Sequence, residues 1–331
     1  MKHLTFLERF SEFDDHELVC EIKDKGTGLH AYIAIHNTNL GPATGGTRFF
    51  FYKSKDEALA DVLRLSKAMT YKCALASVPY GGGKGVIIGD PKKTKTNELL
   101  KAYAKAVNEL KGKFTTGEDM GLTESDIMVL SNESKYINGR GSELGPFAAL
   151  GVLKAIEAVI GKVEGHTFAI KGLGKVGFAL CKLIYERGGK IIGADIEEKA
   201  IERAKKYVEI VDPLEIHKQR VDVYCPCALG NEFNEKTIDE LGSKIICGAA
   251  NNQLVSPDVG EKLHKKGITY IPDYVANAGG LIRAVLRGNV NKRINEIKDT
   301  TEKILNMARE NNKSTSIIAD DLAKKIINEN K

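Results

Sequence analysis

HTFAIKGLGKVGFALCKLI, residues 166–184, gives the clearest indication of the fold. An apolar strand-like run at 167–170 leads into the glycine motif G-x-G-x-x-G at 172–177, and an apolar helical run follows it at once. Asp195 closes the next apolar run, IIGAD, about 20 residues further on. Strand, glycine turn, helix, strand and acidic residue in this order are typical of a βαβ unit that binds a dinucleotide.

The glycine turn predicts a cofactor site made largely of backbone. Glycines let the chain turn tightly and approach a pyrophosphate, while the start of the helix offers free N–H groups. Asp195 would accept hydrogen bonds from the adenosine ribose and would repel a 2′-phosphate, and no arginine directly follows it, so NAD is favoured over NADP. A purely structural turn is the alternative, which the surrounding pattern disfavours. The predicted cofactor-binding residues are Gly172, Leu173, Gly174, Lys175, Val176, Gly177 and Asp195.

The pattern around this unit predicts an α/β protein with two domains. Strand-like runs at 166–171, 190–195, 221–226, 245–247 and 269–271 alternate with helical runs, which favours a doubly wound parallel sheet. Residues 138–146 are rich in glycine and polar residues and form the candidate boundary. We predict an N-terminal α/β substrate and oligomerisation domain at 1–138. A C-terminal Rossmann NAD domain at 139–309 would follow it across a cleft, with helices at 310–331 packing back on the first domain.

The composition excludes several classes of protein. The 331 residues are 42% hydrophobic and 28% charged, with a formal net charge of +5, and the basic residues do not cluster with aromatics as in nucleic-acid binders. No run approaches the ~20 apolar residues of a membrane span, and the N-terminus has no signal-peptide pattern, so we expect a cytoplasmic protein without a membrane partner. The cysteines and histidines lack zinc-site spacing, so we expect no metal.

Two lysines and an acidic pair in the first half are candidates for chemistry. An amphipathic helix at 54–70 is followed by Lys72, and Lys84 lies among four glycines that we interpret as a turn feeding a strand at 86–88. Glu118 and Asp119 follow a strand-like run near 113–116. Asp119 is either a catalytic carboxylate or a cap for the helix that begins near Thr123.

Seven ordered motifs between residues 30 and 285 resemble the Glu/Leu/Phe/Val dehydrogenase family, and most closely its leucine and phenylalanine branch. They are GPATGGTR (41–48), LSKAMTYK (65–72), GGGK (81–84), GEDMG (117–121), PCALG (226–230), GAANNQL (248–254) and NAGG (277–280). The order and spacing make the resemblance far more specific than any one motif. It implies an enzyme that oxidatively deaminates an L-amino acid to a 2-oxo acid, reversibly, and that assembles as a homo-oligomer through its first domain.

The resemblance implies a role for each matching residue. Lys84 would activate water, Asp119 would carry a proton to and from the amino group, and Lys72 would bind the substrate carboxylate. Gly45, Gly46 and Asn277 would hold the carboxylate and the amino group. The remaining implied contacts are Met69, Thr44 and Gly117 for the substrate, and Ala228 and Asn251 for the nicotinamide half of the cofactor.

Elementary chemistry also predicts different roles for the two lysines. A carboxylate substrate needs a fixed cation, which Lys72 supplies, and repulsion between like charges together with burial would push Lys84 towards a neutral base. Hydride passes from the substrate Cα to the nicotinamide, and the protein supplies position and proton transfer.

The sequence departs from the family pattern at the predicted pocket. Ala148 replaces a threonine, Thr44 replaces a leucine, and Gly117 replaces the alanine of leucine enzymes. The sequence shows no extra arginine or lysine that could bind a carboxylate on the substrate side chain. We therefore expect an apolar side chain and favour leucine or valine. The aromatic amino acids phenylalanine and tryptophan are the alternative.

Two other functions remain as alternatives. An oxidoreductase for 2-hydroxy acids would need a His–acid pair and an arginine, and His264 is the only late histidine, on an ordinary helix face. A non-catalytic NAD-binding regulatory protein would not need Lys72, Lys84 and Asp119 together.

Overall fold

A computed structural model describes residues 1–5, 7–139 and 143–331, which form two compact units. The first comprises Met1–Ser142 and Ala323–Lys331, and the second comprises Glu143–Leu322. The division therefore follows residue 142 rather than 138, and the chain returns to the first unit at 323 rather than 310. Hydrogen bonds explain why the chain rejoins the first unit only at residue 323. Thr315 donates a hydrogen bond to the Tyr270 carbonyl and Asp320 accepts one from Tyr274, which ties residues 315–320 to the second unit.

The first unit is built on a mixed six-stranded sheet with the order β1-β2-β3-β5-β4-β6. β4 pairs in parallel with β5 and with β6. The pairs β1–β2, β2–β3 and β3–β5 are antiparallel. Its strands are β1 Lys2–His3, β2 Leu18–Asp24, β3 Leu29–Asn37, β4 Ala43–Phe50, β5 Gly81–Ile88 and β6 Phe114–Glu118, and its helices are α1 Lys55–Leu75, α2 Asn97–Glu109 and α3 Glu124–Glu133. β4 therefore lies between β5 and β6, the strands that carry or precede the candidate catalytic residues.

Helix α1 covers one face of this sheet and extends one turn beyond its predicted end. Ser54 caps it by accepting a hydrogen bond from the Glu57 N–H at 3.1 Å. Cys73 and Leu75 are buried, so the apolar face of the helix continues past residue 70. Lys72 consequently lies in the last helical turn rather than after the helix.

The glycines at 81–85 form strand, and the predicted turn at this place is wrong. All of them lie within β5 and are buried. A Cβ on Gly82 would lie 2.1 Å from the Thr70 backbone nitrogen, and one on Gly83 would lie 2.7 Å from Phe114 Cδ2. Side chains are absent here because α1 and Phe114 approach the strand closely from its two faces.

The second unit is the predicted doubly wound Rossmann fold. Its six strands are all parallel in the order β12-β11-β10-β7-β8-β9, in which the order reverses between β7 and β10. The strands are β7 Thr167–Lys171, β8 Lys190–Ala194, β9 Glu209–Ile210, β10 Val223–Pro226, β11 Ile245–Ile246 and β12 Thr269–Tyr270. The fold class expected from the sequence is thereby confirmed.

Helices cover this parallel sheet. They are α4 Gly145–Ile160, α5 Lys175–Tyr185, α6 Glu198–Ala204, α7 Glu235–Asp239, α8 Pro257–Lys265, α9 Asp273–Ala276, α10 Gly279–Val285, α11 Val290–Asn311 and α12 Thr315–Asn328, the last of which continues into the first unit. Ala148, where the family has threonine, is buried in α4, and a Cβ on Gly280 would touch its methyl group at 3.5 Å.

Two negative findings apply to the described residues. No helix among them has both the length and the apolar character to cross a membrane. Within the same residues, no group of three or more His, Cys, Asp or Glu side chains is arranged to hold a metal ion.

One buried and one half-buried histidine beside α1, His36 and His16, predict acid-sensitive stability. His16 Nε2 lies 3.1 Å from the Leu63 carbonyl oxygen, and His36 Nδ1 lies 2.8 Å from Thr70 Oγ1. Burial, and then the charge of His36, lowers the pKa of His16 to about 4, and burial lowers the pKa of His36 against the opposing effect of Asp14. Below pH ~6.5 these two histidines bind protons in the unfolded chain but stay largely neutral in the folded chain. The free energy of unfolding therefore falls as the pH drops towards ~4.

We therefore expect the urea midpoint of unfolding to fall between pH ~7 and ~5, and to fall less in His16→Gln, whose amide can still donate to the Leu63 carbonyl. Chemical denaturation of both proteins at the two pH values tests this. An equal decrease in the two would show that His16 does not contribute.

Candidate active site

The centre of the first unit's candidate site is a buried ion pair between Lys84 and Asp119. Lys84 is on β5 and Asp119 directly follows β6, and the Lys84 ammonium donates a hydrogen bond to Asp119 Oδ2. Their side chains are only 5% and 16% exposed. They meet over β4, where a Cβ on Gly46 would lie 2.9 Å from Asp119 Cβ and 3.3 Å from Oδ2. Glycine at 46 therefore makes room for the pair.

The electrostatics of the pair favour an ionised Asp119. Burial alone would raise its pKa, but the positive charges of Lys84 and Arg48 outweigh burial and hold the pKa of Asp119 well below its usual range. The sequence alone predicts only another cation, Lys72, as a charged neighbour of Lys84. The structure adds a carboxylate in direct contact, so a proton that leaves Lys84 has an immediate acceptor.

Asp119 does not cap α3, which removes the structural alternative for it. Thr123 caps this helix instead, and it forms a capping box with Asp126, whose Oδ2 accepts a hydrogen bond from the Thr123 N–H at 2.7 Å. Asp119 is thus left for the contacts with Lys84 and Arg48.

Arg48 and Asp61 form a second layer that the sequence analysis missed. Arg48 Nε donates to Asp119 Oδ1 at 3.2 Å, and its Nη1 donates to Asp61 Oδ2 at 2.9 Å. Arg48 is two residues after Gly46 on β4, so the alternation of a strand places both on one face of the sheet. That alternation was the available signal for Arg48, whereas Asp61 on α1 had none.

Gly45 and Met69 lie against the strand that carries Lys84. A Cβ on Gly45 would lie 1.8 Å from the Gly83 carbonyl oxygen and 3.2 Å from Met69 Cγ. Lys72 lies one turn after Met69 on α1 and is half-buried. The structure thus brings Gly45 and Met69 to Gly83, the residue before Lys84, and places Lys72 on the adjoining turn of helix.

Thr44 and Gly117 belong to a small polar cluster. The Thr44 hydroxyl accepts hydrogen bonds from Thr115 Oγ1 at 3.1 Å and Asn138 Nδ2 at 3.5 Å. A Cβ on Gly117 would lie 2.9 Å from the Asn138 carbonyl oxygen. Thr44 is buried among hydroxyl and amide groups, so this part of the predicted pocket is more polar than a leucine would make it.

In the second unit, each glycine of the G-x-G-x-x-G motif has its own physical reason. Gly172 has a φ of +95°, and a Cβ there would lie 2.7 Å from the Ala228 nitrogen. A Cβ on Gly177 would lie 1.8 Å from the Gly172 carbonyl oxygen. A Cβ on Gly174 would meet nothing within 4 Å, and α5 begins directly after it without a side-chain cap. Two glycines therefore permit packing, and the third leaves open space at the N-terminus of a helix, which fits a pyrophosphate.

Asp195 and Arg203 both hold the backbone of this loop. Asp195 Oδ2 accepts from the Leu173 N–H at 2.5 Å, and its Oδ1 accepts from the Glu197 N–H at 2.9 Å. Arg203 donates to the Leu173 carbonyl at 2.8 Å, and its guanidinium lies 4.4 Å from the centroid of the Phe178 ring. No arginine directly follows Asp195, as the sequence analysis noted, but one on α6 reaches the loop.

Two asparagines lie together beyond β11. Asn277 Nδ2 donates to the Ala249 carbonyl at 3.0 Å and to Asn251 Oδ1 at 2.8 Å. Asn277 Oδ1 is buried and accepts no hydrogen bond from any described residue. A buried acceptor without a donor is costly, so this atom is suited to a donor on a ligand.

A further ion pair fixes the segment after β10. Lys171, the last residue of β7, lies 2.9 Å from both carboxylate oxygens of Glu232, and Tyr224 donates to the same carboxylate at 2.8 Å. This pair, which anchors the segment containing Ala228, spans 61 residues of sequence and had no spacing signal.

Comparison with known proteins identifies the family of the chain. Residues 15–136 match the family model Glu/Leu/Phe/Val dehydrogenase, dimerisation domain, and residues 193–325 match Glutamate/Leucine/Phenylalanine/Valine dehydrogenase. The chain is 40% identical to a leucine dehydrogenase of Geobacillus stearothermophilus over 97% of this chain and 93% of that protein. It is 45% identical to a phenylalanine dehydrogenase of Caldalkalibacillus thermarum over 83% and 79%.

A solved structure extends the agreement to three dimensions. The crystal structure of L-tryptophan dehydrogenase from Nostoc punctiforme superposes with a TM-score of 0.82 at 39% identity, covering 96% of this chain and 97% of that one. Matches of this extent cover both units and confirm the resemblance seen in the motifs. The chain therefore belongs to the Glu/Leu/Phe/Val dehydrogenase family of amino-acid dehydrogenases.

Proposed function

We propose that the protein catalyses the NAD-dependent oxidative deamination of an L-amino acid with an apolar side chain. The amino acid, NAD⁺ and water give the 2-oxo acid, ammonium, NADH and a proton, and the reaction is reversible. The observation that carries the proposal is the buried contact of Lys84 with Asp119 over Gly46, because it provides two groups in contact that can exchange a proton.

NAD would supply a hydride acceptor when bound. Gly174 supports this assignment through the open space at the start of α5, where the positive end of the helix dipole suits a pyrophosphate. The carboxylate of Asp195 supports NAD over NADP because it would repel a 2′-phosphate. We further propose that Ala228 and Asn251 line the nicotinamide half of the site.

The residues of the chain then divide the remaining work. Lys72 would pair with the substrate carboxylate, with Gly45 and Gly46 beside it. For Asn277 of the second unit, we propose that its buried Oδ1 accepts a hydrogen bond from a donor on a bound ligand. Asp119 would take a proton from the substrate ammonium, which frees the nitrogen lone pair that drives loss of hydride from Cα. The Lys84–Asp119 pair would release that proton to solvent, and Lys84 would then pass its own proton to Asp119. As a free amine, Lys84 would remove a proton from the water that attacks the imine. That proton can pass through Asp119 to the departing amino group because Lys84 and Asp119 touch.

We propose that the substrate side chain is aliphatic, with leucine or valine preferred. Met69, Thr44 and Gly117 would be its neighbours, and none of these three is charged. Aromatic amino acids are the second candidate, since Gly117 projects no side chain. The experiment is an assay of purified protein with NAD and each of the twenty amino acids, followed by NADH absorbance. A higher kcat/KM for leucine and valine than for phenylalanine and tryptophan supports the first candidate, and the reverse order supports the second.

The cofactor assignment yields its own prediction. Asp195→Asn removes the negative charge but keeps one acceptor for the loop, so the preference for NAD over NADP, measured as the ratio of kcat/KM values, should fall at least ~10-fold. Asp212→Asn is a matched control, because Asp212 also accepts from a backbone N–H, that of Leu214 at 2.7 Å, and is exposed. An unchanged ratio in Asp195→Asn would refute the role of this charge.

We also propose that the protein is a homo-oligomer that assembles through its first unit. The match of residues 15–136 to a dimerisation-domain model supports this, as do the exposed side chains of Phe50, Phe51 and Met120 on that unit. Light scattering should give a mass that is a multiple of the chain mass. A monomer at micromolar concentration would contradict the proposal.

A further inference from the structure

The two oxygens of the Asp119 carboxylate have different surroundings. Oδ1 accepts hydrogen bonds from Arg48 Nε at 3.2 Å and from the Met120 N–H at 2.6 Å. Oδ2 accepts from the Lys84 ammonium. One oxygen is therefore held by groups with no proposed part in the chemistry, and the other faces the proposed proton-transfer partner.

Arg48 is itself held in place by a second carboxylate. Its Nη1 donates to Asp61 Oδ2 at 2.9 Å, and the Tyr52 hydroxyl donates to the same oxygen at 2.7 Å. Arg64 donates to the other oxygen, Oδ1, at 2.6 Å. The side chains of Arg48 and Asp61 are only 12% and 11% exposed. Asp61 thus balances the buried guanidinium charge and fixes its orientation.

Only arginine can make this bridge. Two different nitrogens of one rigid plane, Nε and Nη1, reach two carboxylates on different elements, Asp119 after β6 and Asp61 on α1. A lysine has one nitrogen on a flexible chain and cannot fix two carboxylates in this geometry. Because the guanidinium is rigid and is bound to Asp61 on α1, it holds the Asp119 carboxylate in one orientation relative to that helix.

We infer that Arg48 is a positioning residue for the reaction, which holds Asp119 Oδ1 so that Oδ2 alone exchanges protons with Lys84 and the substrate nitrogen. The inference rests on the proposed function. Rotation about the Cβ–Cγ bond of an aspartate is soft and nearly two-fold, so an unrestrained carboxylate would exchange its oxygens. Arg48 and the Met120 N–H together prevent that rotation and keep Oδ2 in reach of the reacting nitrogen.

The test compares Arg48→Lys and Arg48→Gln with wild type in the full-length protein. The measurements are kcat, the KM values for leucine and NAD, and the pH profile of kcat/KM. Both variants should lose about 10²-fold in kcat, because a misplaced proton acceptor slows the chemical step, while the KM for NAD changes less than about threefold. Arg48→Gln should also move the acid limb of the profile to higher pH, since Asp119 loses a neighbouring cation, whereas Arg48→Lys should leave it in place.

A substitution elsewhere in the first unit serves as the control for the Arg48 variants. Glu109→Gln changes an acidic residue of the first unit at the end of α2, and it should leave all four quantities unchanged. Arg48→Gln with wild-type kcat and an unmoved acid limb would overturn the inference while the proposed function stands. Loss of activity in Arg48→Lys that follows only loss of the folded fraction would also overturn it. A wild-type protein without turnover of any amino acid would refute the proposed function itself, and the inference with it.

Discussion

Replacing Lys84 by glutamine should lower kcat for amino-acid oxidation by at least ~10³-fold while dinucleotide binding survives. Glutamine can still donate a hydrogen bond to Asp119, so the carboxylate keeps a partner, but it cannot take up a proton from water. The nucleotide loop belongs to the second unit and Lys84 to the first, so the variant leaves Gly172–Gly177 intact. Turnover followed by NADH absorbance and NADH affinity followed by fluorescence titration measure the two effects separately.

Lys154→Gln is the matched control for this experiment. Lys154 also forms a partly buried ion pair, with Glu157 at 2.7 Å, but on α4 and away from the proposed machinery. It should retain turnover within a few-fold of wild type. If Lys84→Gln turned over as well as Lys154→Gln, or lost NADH binding along with turnover, the assignment of the catalytic lysine would be wrong.

Alanine at Gly177 and alanine at Gly174 should have opposite effects on folding and binding. A Cβ at Gly177 would lie 1.8 Å from the Gly172 carbonyl oxygen, so this variant should lose several kcal/mol of stability. A Cβ at Gly174 would touch nothing, and its φ of −67° suits alanine, so this variant should keep its stability. Its methyl group would nevertheless occupy the space proposed for the pyrophosphate, and NADH affinity should fall at least ~10-fold.

Thermal unfolding and NADH titration of the two variants distinguish packing from binding. Unchanged NADH affinity in a stable Gly174→Ala protein would show that the pyrophosphate does not approach this glycine. A Gly177→Ala protein as stable as wild type would show that the close approach to the Gly172 carbonyl relaxes readily.

The βαβ unit could be predicted because its signals are local. The glycine motif, the apolar runs beside it and Asp195 lie within some 30 consecutive residues, and β7, α5 and β8 form within two residues of the expected positions. Strand β9, Glu209–Ile210, escaped prediction because one of its two residues is charged, whereas the equally short β11 and β12 consist of uncharged residues.

The glycines of β5 show where local propensity misleads. Glycine weakens strands and favours turns, so four of them beside Lys84 indicated a turn. Gly82 lies against Thr70 on α1 and Gly83 against Phe114 on β6, and both neighbours approach the strand only in the folded chain. Which elements flank a strand is a property of the fold that a local pattern does not contain.

The candidate site divides in the same way. Lys84 and Asp119 could be selected individually from motifs, but their contact depends on β4 lying between β5 and β6, an order that the sequence does not state. The pairs Arg48–Asp61 and Lys171–Glu232 join residues on different elements with no characteristic spacing. Long-range ion pairs of this kind emerge only from the three-dimensional structure.

The hydrogen on the substrate Cα shows whether the protein oxidises an amino acid by hydride transfer to NAD. The purified protein is incubated with NAD and with leucine, valine or phenylalanine deuterated at Cα, and the reduced dinucleotide is analysed by mass spectrometry. For at least one of the three amino acids, the proposed reaction predicts that the deuterium is transferred to NADH. It also predicts that NADH and the matching 2-oxo acid form in equal amounts. Unlabelled NADH, or no NADH with any of them, would contradict it.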